Sequence, residues 1–360
     1  MADLYTVVAP LLRLLPPETA HGITLKALKF GWTPASGADD PLSLRQRLFG
    51  LDIANPVGLA AGFDKNAEVP DAMLSLGFGF VEVGTVTPRP QPGNVRPRVF
   101  RLTHDRAVIN RLGFNNDGFE VVRHRLAERS AKQGVLGVNI GANRDSRDRI
   151  ADYADGVRNF ASLADYLTVN ISSPNTPGLR DMQDPSILRE LIEAVHAARA
   201  EIGAAETPIL FKIAPDLADS DLTTIAETML VYDVYGFVVS NTTVGERACL
   251  HGRHADERGG LSGRPLFDLS TNVLRQFYAM TEGRLPLIGV GGISSGQDAY
   301  AKIRAGASLV QLYTALIFEG PGLVGRIKAD LAACLTRDGF AHVSDAIGAD
   351  IRLAGKGADQ

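Results

Sequence analysis

The sequence predicts an α/β fold, a (β/α)8 TIM barrel with a small N-terminal helical extension, on three observations. Short apolar runs ending in small or polar residues recur along the chain, helix-like stretches fill most gaps between them, and polar side chains suited to chemistry gather just past the run ends. The runs are Val57 to Ala60, Gly79 to Gly84, Val135 to Ile140, Tyr166 to Ile171, Ile209 to Ile213, Gly236 to Ser240, Leu287 to Val290 and Leu309 to Tyr313. Each has the length of an ordinary buried strand. Between them, Ser186 to Glu201 sets Leu188, Leu191, Ile192, Val195 and Ala198 at helical spacing, and Gly296 to Ala305 reads as a shorter helix. Strand then helix, repeated, gives a parallel sheet. Closure into a barrel is the expectation, and an open doubly wound sheet is the alternative that periodicity leaves standing.

Ahead of the barrel, Asp3 to Leu15 and Glu18 to Phe30 read as two helices parted by Pro16 and Pro17. Leu4, Val7, Val8, Leu11, Leu12, Leu14 and Leu15 cover more of the first helix than one neighbour can bury, with Arg13, Lys26 and Lys29 as cationic rims. That pattern suits a hairpin capping the barrel or one resting on lipid. Pro10 is expected to kink the first helix. The domain organisation expected is a helical segment over 1–40, the barrel over 41–340 and a tail over 341–360. Two connections, Thr85 to Asp117 and Asn241 to Pro265, are too long for turns and read as lids or binding loops.

Composition excludes several classes. With 45% hydrophobic and 22% charged residues in 360, disorder is not the default. A formal charge of -4 offers no basic field for nucleic acid. Cys249 and Cys334 have no ligand spacing, so neither a disulfide framework nor a metal site is expected. The run Val7 to Leu15 is broken by Pro10 and Arg13, which fits neither a secretory signal nor a spanning helix and leads us to expect a cytoplasmic bulk.

In parallel barrels chemistry sits past the carboxyl ends of the strands. Those ends carry Gly62, Asp64 and Lys65; Thr85; Asn139; Asn170 with Ser173 and Asn175; Lys212; Ser240, Asn241 and Thr242; Gly291 and Gly292; and Tyr313 with Thr314. A strand-end lysine is costly to desolvate unless an anion or a polarised acceptor faces it, so Lys212 and Lys65 imply a negatively charged ligand, or else they snorkel to the rim. The glycines at 289, 291 and 292, with Gly259, Gly260 and Gly263, suit a phosphate cradled by backbone N–H groups, or simply turn the chain. Asn110, Asn170, Asn175 and Asn241 each offer a donor and an acceptor, matching the edge of a planar imide. A nonredox phosphate-binding isomerase or synthase, and a flavin-binding module without catalysis, are alternatives at this level.

The segments Ala60-Ala61-Gly62-Phe63-Asp64-Lys65, Asn110-Arg111-Leu112-Gly113-Phe114-Asn115 and Val169-Asn170-Ile171-Ser172-Ser173-Pro174-Asn175-Thr176-Pro177-Gly178-Leu179-Arg180 closely resemble the quinone-dependent (class 2) dihydroorotate dehydrogenases. The resemblance continues through Lys212-Ile213-Ala214-Pro215-Asp216, Ser240-Asn241-Thr242-Thr243, Gly260-Leu261-Ser262-Gly263-Arg264-Pro265 and Ile288-Gly289-Val290-Gly291-Gly292-Ile293, over roughly residues 16–335. It implies oxidation of dihydroorotate to orotate, in pyrimidine biosynthesis, with FMN as cofactor and a membrane quinone as acceptor. FMN would be held by Ala61, Gly62, Phe63, Asp64, Lys65, Thr85, Asn139, Asn170, Lys212, Ser240, Gly263, Gly292, Tyr313 and Thr314. Substrate contacts would fall on Lys65, Asn110, Arg111, Leu112, Gly113, Phe114, Asn170, Asn175, Asn241 and Thr242.

The resemblance also makes Ser173 the base that removes the C5 proton, with Thr176 relaying it and Lys65 beside the reacting ring. A hydroxyl is a poor base at neutral pH and no nearby His completes a triad, so that proton must leave through hydrogen bonds while a closed loop excludes water. Related cytosolic classes carry cysteine at the base position and lack the N-terminal helices. In the quinone class those helices form an apolar tunnel from bilayer to flavin, which implies peripheral contact with the cytoplasmic side of a bacterial inner membrane. Glu18-Thr19-Ala20-His21 matches at the second helix. Phe63, where leucine is common, and Ala315, where glycine is common, depart from the pattern.

Overall fold

The computed structural model describes residues 4–33, 40–129, 134–232 and 234–352. Asp3, the side chains of Leu4 and Val7, and the last part of the expected tail, 353–360, lie outside the described residues. In chain order the strands are β1 Gln46–Leu48, β2 Leu51–Ile53, β3 Val57–Leu59, β4 Phe80–Val86, β5 Val99–Leu102, β6 Ala107–Asn110, β7 Val135–Ile140, β8 Tyr166–Asn170, β9 Ile209–Ile213, β10 Gly236–Val239, β11 Gly260–Gly263, β12 Leu287–Val290 and β13 Leu309–Leu312. Eight of them, β3, β4, β7, β8, β9, β10, β12 and β13, close into a barrel in which every pair is parallel. The closed barrel is therefore the fold, and the open sheet is excluded.

The two-residue period of a strand sorts each barrel strand into an outer and an inner row. Outward residues such as Val81, Val83, Val138, Val169, Phe211 and Val310 join the large core shared with the surrounding helices. Inward residues Phe80, Val135, Tyr166, Leu210, Val238, Ile288 and Leu309 form a separate cluster that fills the base of the barrel. The hairpin β1–β2 closes that base with Ile53, backed by Leu48, Phe49 and Leu51. Further along the same inner rows the residues turn polar: Glu82, Asn139, Thr168, Asn170, Lys212 and Gln311 are all buried. Polar groups thus concentrate toward the carboxyl ends.

Caps fix where the helices begin. Asp148 accepts from Ala151 N ahead of Arg149–Phe160, Ser295 accepts from Asp298 N ahead of Gly296–Arg304, and Asp184 accepts from Ser186 N ahead of Pro185–Glu201, where Pro185 also presets the first turn.

The two long connections are partners. The first supplies β5 and β6, the second supplies β11, and they pair as one antiparallel sheet in the order β11-β6-β5 beside the mouth. The N-terminal helices, α1 Leu4–Leu14 and α2 Pro17–Lys29, are anchored to this sheet and to the short helix after β13, Thr314–Glu319. Tyr5 donates to Ile317 O (2.8 Å), Arg101 donates to Arg13 O (2.7 Å), and Glu18 pairs with the buried Arg98 (2.9 Å). α1 runs on past Pro10 as one helix. Arg13, expected on a cationic rim, instead turns inward and donates to Phe318 O (2.6 Å), because that carbonyl lies within reach of its side of the helix. Residues from 341 carry a short helix, Val343–Ala346, whose Val343 and Ala346 belong to the main core. Among the described residues no helix is long and apolar enough to cross a membrane.

Gly137 faces the Tyr166 ring so closely that a Cβ could not coexist with it. Gly137→Ala is therefore expected to destabilise the barrel by about 1–3 kcal/mol through overpacking. The readout is a lower urea midpoint at unchanged slope. A midpoint equal to the parent's would show that the ring is free to withdraw.

Candidate active site at the barrel mouth

One cavity of about 1280 Å³ opens at the carboxyl ends of the barrel strands and continues outward between α1 and α2. Its inner end is lined by Lys65, Asn110, Asn170, Ser173, Asn175, Lys212, Ser240, Asn241 and Thr242. Its outer end is lined by apolar groups, among them Val8, Leu12, Ile23, Ala27 and Leu28. Phe63, His21 and Tyr313 stand between the two, with the Phe63 ring edge-on to both (5.2 Å to His21, 5.6 Å to Tyr313).

The inner end is cationic. Lys212 reaches into it from β9, and burial pushes its ammonium down while the Glu82 carboxylate works in the other direction. Among the described residues it donates no hydrogen bond within the chain, which leaves its donors for something in the cavity. Lys65 donates to Gly62 O (2.8 Å), and burial lowers it to about 8, opposed by Glu18. His21 is lowered to about 4 by burial first and by Lys65 second, so the imidazole is neutral at pH 7. Burial likewise raises Tyr313 to about 12.

Asp64 does not line the cavity. Fully buried, it accepts from the backbone N–H groups of Asn66 (3.3 Å), Glu68 (2.8 Å) and Val69 (2.7 Å), and so shapes the loop that carries Lys65. Burial raises its pKa, and these hydrogen bonds oppose the rise. The asparagines form two hydrogen-bonded groups, Asn139–Asn170–Asn241 and Asn110–Asn175. Asn139 accepts from Thr85 Oγ1 (2.5 Å) and from Asn170 Nδ2 (3.1 Å), Asn170 Oδ1 accepts from Asn241 Nδ2 (3.3 Å), and Asn110 Oδ1 accepts from Asn175 Nδ2 (3.2 Å). Ser173 is buried beside the second group, its Oγ accepting from Asn175 N (3.3 Å). Thr176 is buried three residues on, with a hydroxyl that finds no partner among the described residues.

The glycine loops close the other wall. Gly292 (φ +76°) lies against Phe267 and Gly263 (φ +95°) against Arg106 O, and neither position has room for a Cβ. Gly62 (φ +106°) lies open toward Tyr313 across the cavity. Thr314 Oγ1 donates to Ser262 Oγ (2.9 Å), tying the start of the helix after β13 to β11.

The fold thus brings Ala61, Gly62, Phe63, Lys65, Thr85, Asn110, Leu112, Gly113, Phe114, Asn170, Ser173, Asn175, Lys212, Ser240, Asn241, Thr242, Gly263, Gly292, Tyr313 and Thr314 onto one cavity. Asp64, Asn139 and Thr176 sit behind its wall. Arg111 is elsewhere: its guanidinium stacks on Phe100 (4.5 Å), pairs with Glu257 (2.8 Å) and donates to Pro97 O (3.0 Å). Two residues outside the sequence motifs also shape the site: Glu82, a carboxylate between Val81 and Val83 in β4, and Arg98, whose pair with Glu18 fastens α2 beside the mouth. A lone carboxylate within a buried run was the signal available for Glu82.

Residues 43–335 match the dihydroorotate dehydrogenase family. A dihydroorotate dehydrogenase (quinone) of Parvibaculum lavamentivorans is 60% identical, covering 98% of this chain and 100% of its own length, and one of Xanthobacter autotrophicus is 54% identical, covering 97% and 100%. A ligand-free DHODH structure from Eimeria tenella superposes with a TM-score of 0.88 at 43% identity, covering 93% of this chain and 99% of that one. A barrel mouth lined with lysine, asparagine and serine, and these likenesses over nearly the whole chain, agree that the protein belongs to the dihydroorotate dehydrogenase family.

Proposed function

We propose that the protein oxidises (S)-dihydroorotate to orotate, in de novo pyrimidine (UMP) biosynthesis, with FMN as its flavin and a membrane quinone as electron acceptor. The observation that carries this reading is the single cavity with two ends of opposite character: a cationic, amide-lined mouth suited to a flat anion, and an apolar gap suited to a lipid-soluble partner. The relatives named as quinone-dependent dihydroorotate dehydrogenases support it.

FMN fits the residues present. Lys212 holds buried donors that no described group of the chain takes up, Gly62 leaves open space against Tyr313, and the positive-φ glycines at 263 and 292 bring backbone to the wall where barrels hold phosphate. Ala61, Gly62, Phe63, Lys65, Thr85, Asn170, Lys212, Ser240, Gly263, Gly292, Tyr313 and Thr314 would hold it directly, with Asp64 and Asn139 supporting from behind. When bound, FMN supplies the hydride acceptor for C6 of the substrate and the electron donor for the quinone.

The chain's own residues handle the anion and the proton. Lys65, Asn110, Leu112, Gly113, Phe114, Asn170, Asn175, Asn241 and Thr242 would bind dihydroorotate, the lysine matching its carboxylate and the amides its imide edge. Arg111 would act by holding the segment that carries Leu112 to Phe114. Ser173 would take the C5 proton. Asn175 N occupies one lone pair of its oxygen; the adjacent Ser172 hydroxyl is already engaged with Asn170 and Asn241, whereas the buried hydroxyl of Thr176 has no partner among the described residues and would pass the proton on. Loss of the C5 proton and the C6 hydride removes two protons and two electrons from the substrate, the same number that would convert a quinone to its quinol, so the overall exchange balances with FMN as carrier.

At the outer end, Leu11, Leu14, Phe30 and Trp32 are exposed on and just beyond α1 and α2, beside Lys26 and Lys29. This surface supports peripheral seating on the cytoplasmic face of a bacterial inner membrane, with the quinone entering between the helices.

Anaerobic addition of dihydroorotate is expected to bleach the yellow protein and quinone to recolour it; a colourless protein, or a flavin that dihydroorotate leaves oxidised, would overturn the activity. Ser173→Ala is expected to slow flavin reduction by about 10²–10⁴-fold with FMN retained, and an unchanged rate would remove Ser173 from its role. Deleting residues 1–32 should spare flavin reduction while quinone turnover and vesicle binding fall. Quinone kinetics equal to those of the full chain would count against the route between the helices.

A further inference from the structure

Glu82 is wholly buried inside the barrel, below the cavity and absent from its lining. Four donors converge on it: Asn139 Nδ2 (2.7 Å) on Oε1, and Tyr166 OH (3.1 Å), Thr168 Oγ1 (3.1 Å) and Gln311 Nε2 (2.9 Å) on Oε2. A carboxylate accepts and cannot donate, so it dictates which end of a neighbouring amide must face it. Asn139 turns its Nδ2 down to Glu82, and its Oδ1 is therefore directed up, where it accepts from Thr85 Oγ1 (2.5 Å) and Asn170 Nδ2 (3.1 Å). With Nδ2 so used, Asn170 presents Oδ1 to Asn241 Nδ2 (3.3 Å) and to Ser172 N (3.3 Å). Asn241 Oδ1 in turn accepts from Thr242 N (2.8 Å).

We infer that Glu82 is a positioning residue: a carboxylate that touches no ligand but fixes, through Asn139, the orientation of the Asn170 and Asn241 amides, and with them the donor and acceptor pattern offered to the bound pyrimidine. An amide is nearly symmetric in shape, so packing alone cannot choose its orientation; the choice has to come from groups of one hydrogen-bonding sense, here Glu82, which only accepts and orients Asn139, and the backbone N–H groups of Ser172 and Thr242, which only donate and hold the Asn170 and Asn241 oxygens in the sense that matches it. Tyr166, Thr168 and Gln311 hold the carboxylate itself in place. The inference rests on the proposed pyrimidine site.

The test exchanges the two groups. In Glu82→Gln the introduced amide can offer its nitrogen to Asn139, so that Asn139 inverts and turns Nδ2 upward against Asn170 Nδ2. Orotate affinity, titrated through the flavin absorbance of the holoenzyme, is expected to fall about tenfold or more, the cost of mismatched buried amides. In the double variant Glu82→Gln/Asn139→Asp the charge moves one residue up: the amide introduced at position 82 donates to the carboxylate introduced at position 139, whose second oxygen again accepts from Thr85 and Asn170. Affinity is expected to return to within about threefold of the parent, a rescue that lost packing would not show. Parent-like orotate binding by the single variant, or no recovery in a double variant that retains FMN and its thermal midpoint, overturns the inference. A neutron map of the unmodified holoenzyme reads the same assignment without substitution: deuterons on the Asn139 amide facing Glu82 support it, and an oxygen there overturns it. Bleaching of the unmodified protein by dihydroorotate, run alongside, separates failure of this inference from failure of the activity.

Discussion

A parallel sheet that closes on itself satisfies its backbone hydrogen bonds without an edge, and closure then divides every strand into a face that meets helices and a face that meets the other strands across the barrel. In this chain the two faces are chemically different. The outer rows are continuously apolar and fuse with the helices into one core, whereas the inner rows change character along their length, from Phe80, Tyr166 and Leu309 at the base to Glu82, Thr168, Gln311 and Lys212 above. The functional cavity is where that gradient ends.

The gradient explains why charge can be kept there. Glu82 and Lys212 are desolvated inside the barrel, a state that is costly for either alone. Glu82 is satisfied by four neutral donors, and its carboxylate supports the Lys212 ammonium against burial. Lys65 at the rim donates to Gly62 O and is supported against burial by Glu18 and, less, by Asp64. The mouth is thus left with cationic capacity that an anionic ring and a flavin can use.

Away from the mouth the same cavity becomes apolar because two helices that are poor partners for each other lie over it. α1 and α2 are fastened at their polar positions, through Tyr5, Arg13 and Glu18, to the short helix Thr314–Glu319 after β13 and to the added antiparallel sheet. Their apolar side chains are left to line a gap on one side and to meet the surroundings on the other, as Leu11 and Leu14 do. His21, neutral at the junction, marks where the polar end gives way to the apolar one.

Periodicity in the sequence determined the eight barrel strands and their flanking helices, because inside and outside alternate along a strand whatever it pairs with. Short motifs likewise located the strand-end residues that line the mouth. The tertiary structure decided what depends on partners remote in sequence. The pairing of the two long connections into one sheet, the β1–β2 hairpin that plugs the base, and the inward turn of Arg13 all depend on neighbours far along the chain or on a surface that exists only once the barrel closes. Arg111 lay within the motif yet points to Glu257, since adjacent residues of an extended segment face opposite ways. Glu82 was legible only as an oddity in an apolar run; closure supplied its meaning, by bringing Asn139, Tyr166, Thr168 and Gln311 from three other strands around one carboxylate.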